Sequence, residues 1–223
     1  HRDENMQVVP LWATEWKQTP EGVFLTLDPK AKWQDGTPAT AEDVKANIEA
    51  LMGQYAPAFK GTPRLAHMKK AVEEVQVIDP THIFIKTRSS DPTFLPTIGG
   101  ANYHLLWFGP GAYLKQVGHD GYIKRPLGGG PYKIQEFKAG DRIVWERWED
   151  FWGQACYWKK PQHRSMEWIE VPDDAARFAM LKGKQVDMVV NVPYAIAKPL
   201  PRSETGQRGV NPQKGALWTQ TMK

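Results

Sequence analysis

The sequence predicts a mixed α/β fold, and three observations lead there. Short runs rich in β-branched and aromatic residues, such as Val23-Phe24-Leu25-Thr26-Leu27, alternate with turns rich in Pro, Gly and Asp. The stretch from Val44 to Met52 spaces its apolar residues as a helix does, behind a capping signal at Thr40 and Asp43. From Trp168 to Val190, strand, helix and strand patterns follow one another, which implies a mixed sheet.

The elements can be justified in chain order. Val8 to Trp16 and Val23 to Leu27 read as strands around the turn Thr19-Pro20-Glu21-Gly22. Asp35-Gly36-Thr37-Pro38 is a strong turn signal. A helix starts at Thr40, puts Val44, Ile48, Leu51 and Met52 on one face, and closes at Gly53. A loop over residues 54–63 precedes a second helix from Leu65 to Val72. Val75 to Ile78 and His82 to Lys86 form a hairpin around Asp79-Pro80-Thr81. Ser89 to Pro92 cap a short helix near Phe94-Leu95, and residues 99–111 are irregular and aromatic. Composition shifts at Pro126-Leu127-Gly128-Gly129-Gly130-Pro131, the best candidate for a domain boundary, with the three glycines read as a flexible crossing. Tyr132 to Phe137 and Arg142 to Glu146 are strands around Lys138-Ala139-Gly140-Asp141. Trp168 to Val171 is a strand, Asp173 caps a helix that ends at Gly183, and Val186 to Val190 is a further strand.

Composition narrows the function. The 223 residues are 41% hydrophobic and 24% charged, which excludes wholesale disorder and fibrous architectures. No apolar stretch approaches the roughly 20 residues of a membrane-spanning helix. The net charge of +4 is dispersed among acids, as in Lys138, Asp141, Arg142, Glu146, Arg147 and Asp150, so no nucleic-acid-binding stripe is present. The single cysteine, Cys156, allows neither an intrachain disulfide nor a cysteine-based zinc site. It sits among Trp152, Tyr157 and Trp158 with no base beside it, which favours a packed thiol over a nucleophile.

Motifs of catalysis are missing as well. Gly128-Gly129-Gly130 lacks the Gly-Lys-Ser/Thr ending of a phosphate loop. The six histidines show no metal-ligand spacing, there is no Gly-x-Ser-x-Gly elbow, and Asp173-Asp174 is explained by helix capping. No catalytic residue, metal site or cofactor is therefore assigned. The ten tryptophans are the oddity. Most are expected in the core, and Trp145, Trp148 and Trp152 lie so close in sequence that some must be partly exposed. A sticky cleft for sugars, peptides or aromatic solutes is the alternative use.

Two segments carry a family resemblance. The first runs from Val9-Pro10-Leu11-Trp12 to Lys32-Trp33-Gln34-Asp35-Gly36-Thr37-Pro38-Ala39-Thr40-Ala41-Glu42-Asp43-Val44. The second joins Leu127-Gly128-Gly129-Gly130-Pro131-Tyr132-Lys133, Gly140 to Arg147, Phe151-Trp152-Gly153, Pro172 to Arg177 and Gly183 to Asp187. Together they resemble the family 5 extracellular solute-binding proteins, the dipeptide, oligopeptide and nickel-type receptors of ABC importers. The resemblance implies a periplasmic binding protein-like II lobe with an extra α+β subdomain. Because the family is more than twice as long and two-lobed, it also implies an incomplete lobe. Residues 1–118 would be the extra subdomain, 119–214 part of the main α/β lobe and 215–223 the start of a hinge strand, with the second lobe and the signal segment absent.

The implied function is capture of a peptide or similar small solute between two lobes, delivered to permease subunits outside the cytoplasmic membrane (periplasmic or extracellular). Family contacts map by position onto Tyr55, after the first helix; Asn191, after the Val-Asp strand; and Trp218, in the hinge strand. The aromatic loop Tyr103 to Phe108 departs from the family pattern and adds Trp107 as a specificity candidate. An oligosaccharide or aromatic cargo, or a cargo-free interaction module, stands as the alternative. A hydrolase lacks a nucleophile-base pair. A lobe cut at its hinge would expose apolar surface and self-associate.

Overall fold

The computed structural model describes residues 7–52, 68–98, 109–155 and 161–197. The chain divides into two units, one made of residues 1–131 and 149–160, the other of 132–148 and 161–223.

The first unit is built on an antiparallel sheet in the order β1-β2-β4-β3. β1 is Ala13–Thr19 and β2 is Gly22–Leu27; β3 is Val72–Val77 and β4 is His82–Thr87. Both expected hairpins are present. Alternation decides which face is buried: Val23, Leu27, Ile83 and Ile85 point inward, while Phe24 and Phe84 stack on the other face at 4.2 Å. Gly22 has φ 154°, and a Cβ there would collide with the Ile85 carbonyl, so the tight β1–β2 turn needs glycine.

Helix α1, Ala41–Leu51, covers the buried face with Val44 and Ile48, joined by Met68, Val72, Val75 and Phe94. The expected N-terminal cap is present: the Thr40 N–H and hydroxyl both donate to Asp43 Oδ2, at 2.8 and 3.2 Å. Residues 68–71 are helical, so the described part of the second expected helix runs up to the start of β3, close to the expected end at about Val72. A short helix, α2, spans Phe94–Ile98 as expected. Helix α3, Gly111–Lys124, falls partly where irregular structure was expected and partly where nothing was assigned; it is interrupted at Gly118, whose φ is 66°. Its start is fastened to α1. The Gly111 N–H donates to Asp43 Oδ1 at 2.6 Å, and buried Asn47 exchanges hydrogen bonds with Gly109 N–H and C=O at 3.1 and 2.8 Å.

The expected flexible crossing at Gly128 to Gly130 is instead tied down. The Gln34 N–H donates to the Gly128 carbonyl at 2.9 Å, and Gln34 Nε2 donates to the Gly130 carbonyl at 3.1 Å. Of the three, Gly129 is needed for space: a Cβ there would enter the Trp12 ring. Trp12 packs at 4.9 Å from buried Trp33 and from half-buried Trp152, so this aromatic cluster serves packing, as most of the tryptophans were expected to.

The second unit holds an antiparallel sheet in the order β5-β6-β7, comprising Tyr132–Lys138, Arg142–Arg147 and Ser165–Ile169. The expected hairpin turns at Gly140, φ 73°. β7 starts three residues earlier than the apolar run Trp168 to Val171 suggested, because its register is set by pairing with β6, Arg142 opposite Ile169 and Glu146 opposite Ser165. One face is ionic, with Arg142 3.2 Å from Glu136 and 3.5 Å from Glu167. The other carries two apolar rows, Phe137-Ile143-Trp168 and Ile134-Trp145-Met166. Helix α4, Asp174–Lys182, follows, capped by Asp173, whose carboxylate accepts from the Ala176 N–H at 2.6 Å. The strand expected at Val186 to Val190 does not form. This stretch joins no ladder among the described residues, since a strand exists only against a neighbour. A short helix, α5, is Tyr194–Ala197.

Candidate functional site

Within the second unit a concavity runs between β7 and the stretch 186–191. Its volume is about 370 Å³. One wall is Glu167 to Pro172, the other Val186 and Met188 to Asn191, and α4 supplies Arg177 and Met180 between them. Beneath lies a small apolar cluster of Leu181 and Val189 with Phe178, Val186 and Val192. This lining follows from the helix spacing. The apolar positions Phe178 and Leu181 turn one way, and Arg177, one turn after the cap, turns toward the chain ends that border the groove.

Arg177 holds the groove's mouth. Its Nη1 donates to the carbonyls of Val171, 2.6 Å, and Pro172, 3.0 Å. Its Nη2 donates to Asp174 Oδ1, one helical turn back, and to the Asn191 carbonyl at 3.4 Å. A guanidinium can satisfy such a fan because its five donors lie in one plane. Asp174 balances its charge. The remaining donor, Nε, is buried and has no partner among the described residues. Arg177 thus ties the end of the β7 wall to the 191 turn and keeps one N–H for an acceptor.

Asn191 occupies that turn with φ 55°, a left-handed conformation that Asn adopts more readily than most residues. Its side chain is exposed and lines the groove. Of the four residues assigned from the sequence, Asn191 is the one the structure places. Tyr55, Trp107 and Trp218 lie outside the described residues, as does Cys156. Arg177 was not anticipated as part of the site, although the Asp-x-x-Arg spacing behind a cap was readable as a helix-face pair. Among the described residues no group of His, Cys, Asp and Glu could hold a metal ion, and no helix is long and apolar enough to cross a membrane.

Solved structures give the class. A periplasmic murein tripeptide-binding protein in its unliganded open form matches 92% of this chain and 41% of its own, with a TM-score of 0.74 at 19% identity. A Campylobacter jejuni protein solved with Ni(L-His) matches 84% of this chain and 36% of its own, with a TM-score of 0.68 at 22% identity. The fold is therefore that of periplasmic binding proteins. The sequence profile of the bacterial extracellular solute-binding proteins, family 5, matches residues 7–221, and the chain belongs to that family. Among curated relatives, a binding protein of Brucella melitensis is 31% identical over 69% of this chain and 24% of its own length. A glutathione-binding protein of Salmonella typhimurium is 24% identical over 91% of this chain and 37% of its own. The chain spans about a quarter to two-fifths of the length of these relatives and structures.

Proposed function

We propose that the chain supplies part of the solute cleft of an ABC-importer receptor. The receptor holds a peptide or peptide-like solute between two lobes outside the cytoplasmic membrane and hands it to permease subunits without making or breaking a bond. The observation that carries this reading is the family match, which runs through both units of the chain. Names among the relatives and neighbours, glutathione-binding and murein tripeptide-binding, favour a short peptide as cargo. In such a receptor the solute shifts the balance toward the closed form, because that form touches it from both sides.

Asn191 is the described residue we assign to solute contact; its side-chain amide offers both a donor and an acceptor at the groove. Tyr55, Trp107 and Trp218 are assigned with it by position. Native mass spectrometry on the gently purified gene product tests the reading, followed by calorimetry with glutathione and a tripeptide panel. A solute-sized adduct is expected, with affinity falling about tenfold in Asn191→Ala, the loss of roughly one hydrogen bond. No adduct and no heat with any peptide would remove the reading. An Asn191→Ala variant that binds normally would remove Asn191 from the contact set.

A further inference from the structure

Asn191 lies in a bend between α4 and α5 that joins no strand ladder among the described residues. Its φ of 55° is left-handed, a conformation that costs energy in residues other than glycine. Two holds keep it there. The first is apolar: Val189 before it and Val192 after it both pack in the cluster around Leu181. Such packing fixes the ends of the bend but aims no peptide group, because apolar burial is non-directional. The second is polar: the Asn191 carbonyl accepts from Arg177 Nη2 at 3.4 Å.

Arg177 suits that second hold. Through Nη1 the same guanidinium donates to the Val171 and Pro172 carbonyls, on the opposite wall of the groove, at 2.6 and 3.0 Å. Asp174, three residues back on α4, accepts from Nη2 and aims the head. The Arg177 side chain is 20% exposed and its Nε is buried, so the group is turned toward carbonyls of its own chain and not outward as a charge for solute. A planar fork reaches carbonyls on two sides at once; the ammonium of a lysine, a point charge on a flexible stem, does not reproduce it. We propose that Arg177 is a positioning residue for solute capture: it pins the Asn191 carbonyl to the segment beyond β7, keeps that residue left-handed and holds its side-chain amide at the groove, without touching the solute itself. The inference rests on the assignment of Asn191 to solute contact.

Two readouts on the full gene product test this in Arg177→Gln and Arg177→Lys. The first needs no solute. With labelled asparagine, the NMR cross-peak between the amide proton and Hα of Asn191 is strong when φ is left-handed, because the two protons then lie closer. It should weaken in both variants, while the Arg147 amide, which donates to the Arg164 carbonyl, stays protected from exchange and reports an intact sheet. The second is calorimetry with glutathione and the tripeptide panel. Arg177→Gln should weaken binding about tenfold, as Asn191→Ala does, and the double variant should bind no more weakly than Asn191→Ala alone. An unchanged cross-peak, unchanged affinity or additive losses would each overturn the proposal. Loss of Arg147 protection in both variants would also overturn it, since Arg177 would then hold the whole unit and not the turn. If the unsubstituted protein binds none of these peptides, the reading of Asn191 as a solute contact falls, and the cross-peak still decides whether Arg177 holds the turn.

Discussion

In the first unit, strands and helices meet over one buried cluster: Val23, Ile83 and Ile85 from the sheet, Ile48 from α1 and Phe94 from α2 are all fully enclosed. In the second unit no residue of β5, β6 or β7 is buried; Ile134, Phe137 and Trp168 are 37%, 46% and 42% exposed although they share one apolar face. Both sheets follow the same alternating pattern. The difference is the cover: α1 lies on the first sheet, whereas the apolar face of the second has none among its described residues. Alternation makes a face apolar, but only a second layer converts it into stability.

Core truncation should sharpen this contrast most. Ile48→Ala is expected to cost the first unit about 2–5 kcal/mol, the range for deleting an enclosed aliphatic side chain. The matching change Ile143→Ala should cost the second unit about 1 kcal/mol or less, since Ile143 is only half-buried. Urea unfolding followed by probes in each unit measures both. Equal costs would mean that Ile143 is covered in solution. An effect smaller than that of Ile48→Ala is expected from Asn47→Ala, which strips the buried Gly109 N–H and C=O of their partners. About 1–3 kcal/mol should be lost, confined to the first unit. A loss shared by both units would show that they unfold together.

The smallest effect is electrostatic. In the β3–β4 turn, the Thr81 N–H and the hydrogen bond from His82 hold the Asp79 carboxyl at about 2, below its ordinary 3.8. In the β5–β6 turn, Lys138 lowers Asp141 in the same direction. A carboxylate depressed on folding adds stability above its unfolded value, and that stability disappears as the pH falls toward the folded one. The Asp79 contribution should therefore be intact above about pH 4 and fade toward pH 2. A carboxyl NMR titration reads it directly; a midpoint near 3.8 for Asp79 would show that the turn does not hold its hydrogen bonds.

Much of the fold was legible because it rests on local chemistry. The Thr40 cap, the turns at Asp79 and Gly140 and the Asp173 cap each sit where short-range hydrogen bonds place them. Helix α3 was not legible. Gly111-Ala112-Tyr113-Leu114 has no side-chain cap, and two further glycines, Gly118 and Gly121, follow inside the helix. Its start is held by Asp43 and Asn47, about 65 residues upstream in the chain. The strand expected at Val186 to Val190 had the right composition, but pairing depends on a neighbour that composition does not reveal. Of the site, the Asn191 turn could be read from position, whereas Arg177 gains its meaning only from carbonyls that the fold brings to it.

Asp43 carries a consequence for how such chains are recognised. Its carboxylate holds the Thr40 amide, the Trp33 indole at 3.0 Å and the Gly111 amide at once. In the neighbouring turn, Asp35 Oδ1 takes the Thr37 amide and hydroxyl at 2.9 and 2.7 Å. The hydrogen-bonding capacity of the Asp-Gly-Thr-Pro-x-Thr-Ala-Glu-Asp signature is thus directed inward, to fastening a loop, a helix and an indole together. This stretch therefore works as a knot: it fixes how the first unit is tied together, and its polar groups are already spent on the chain itself.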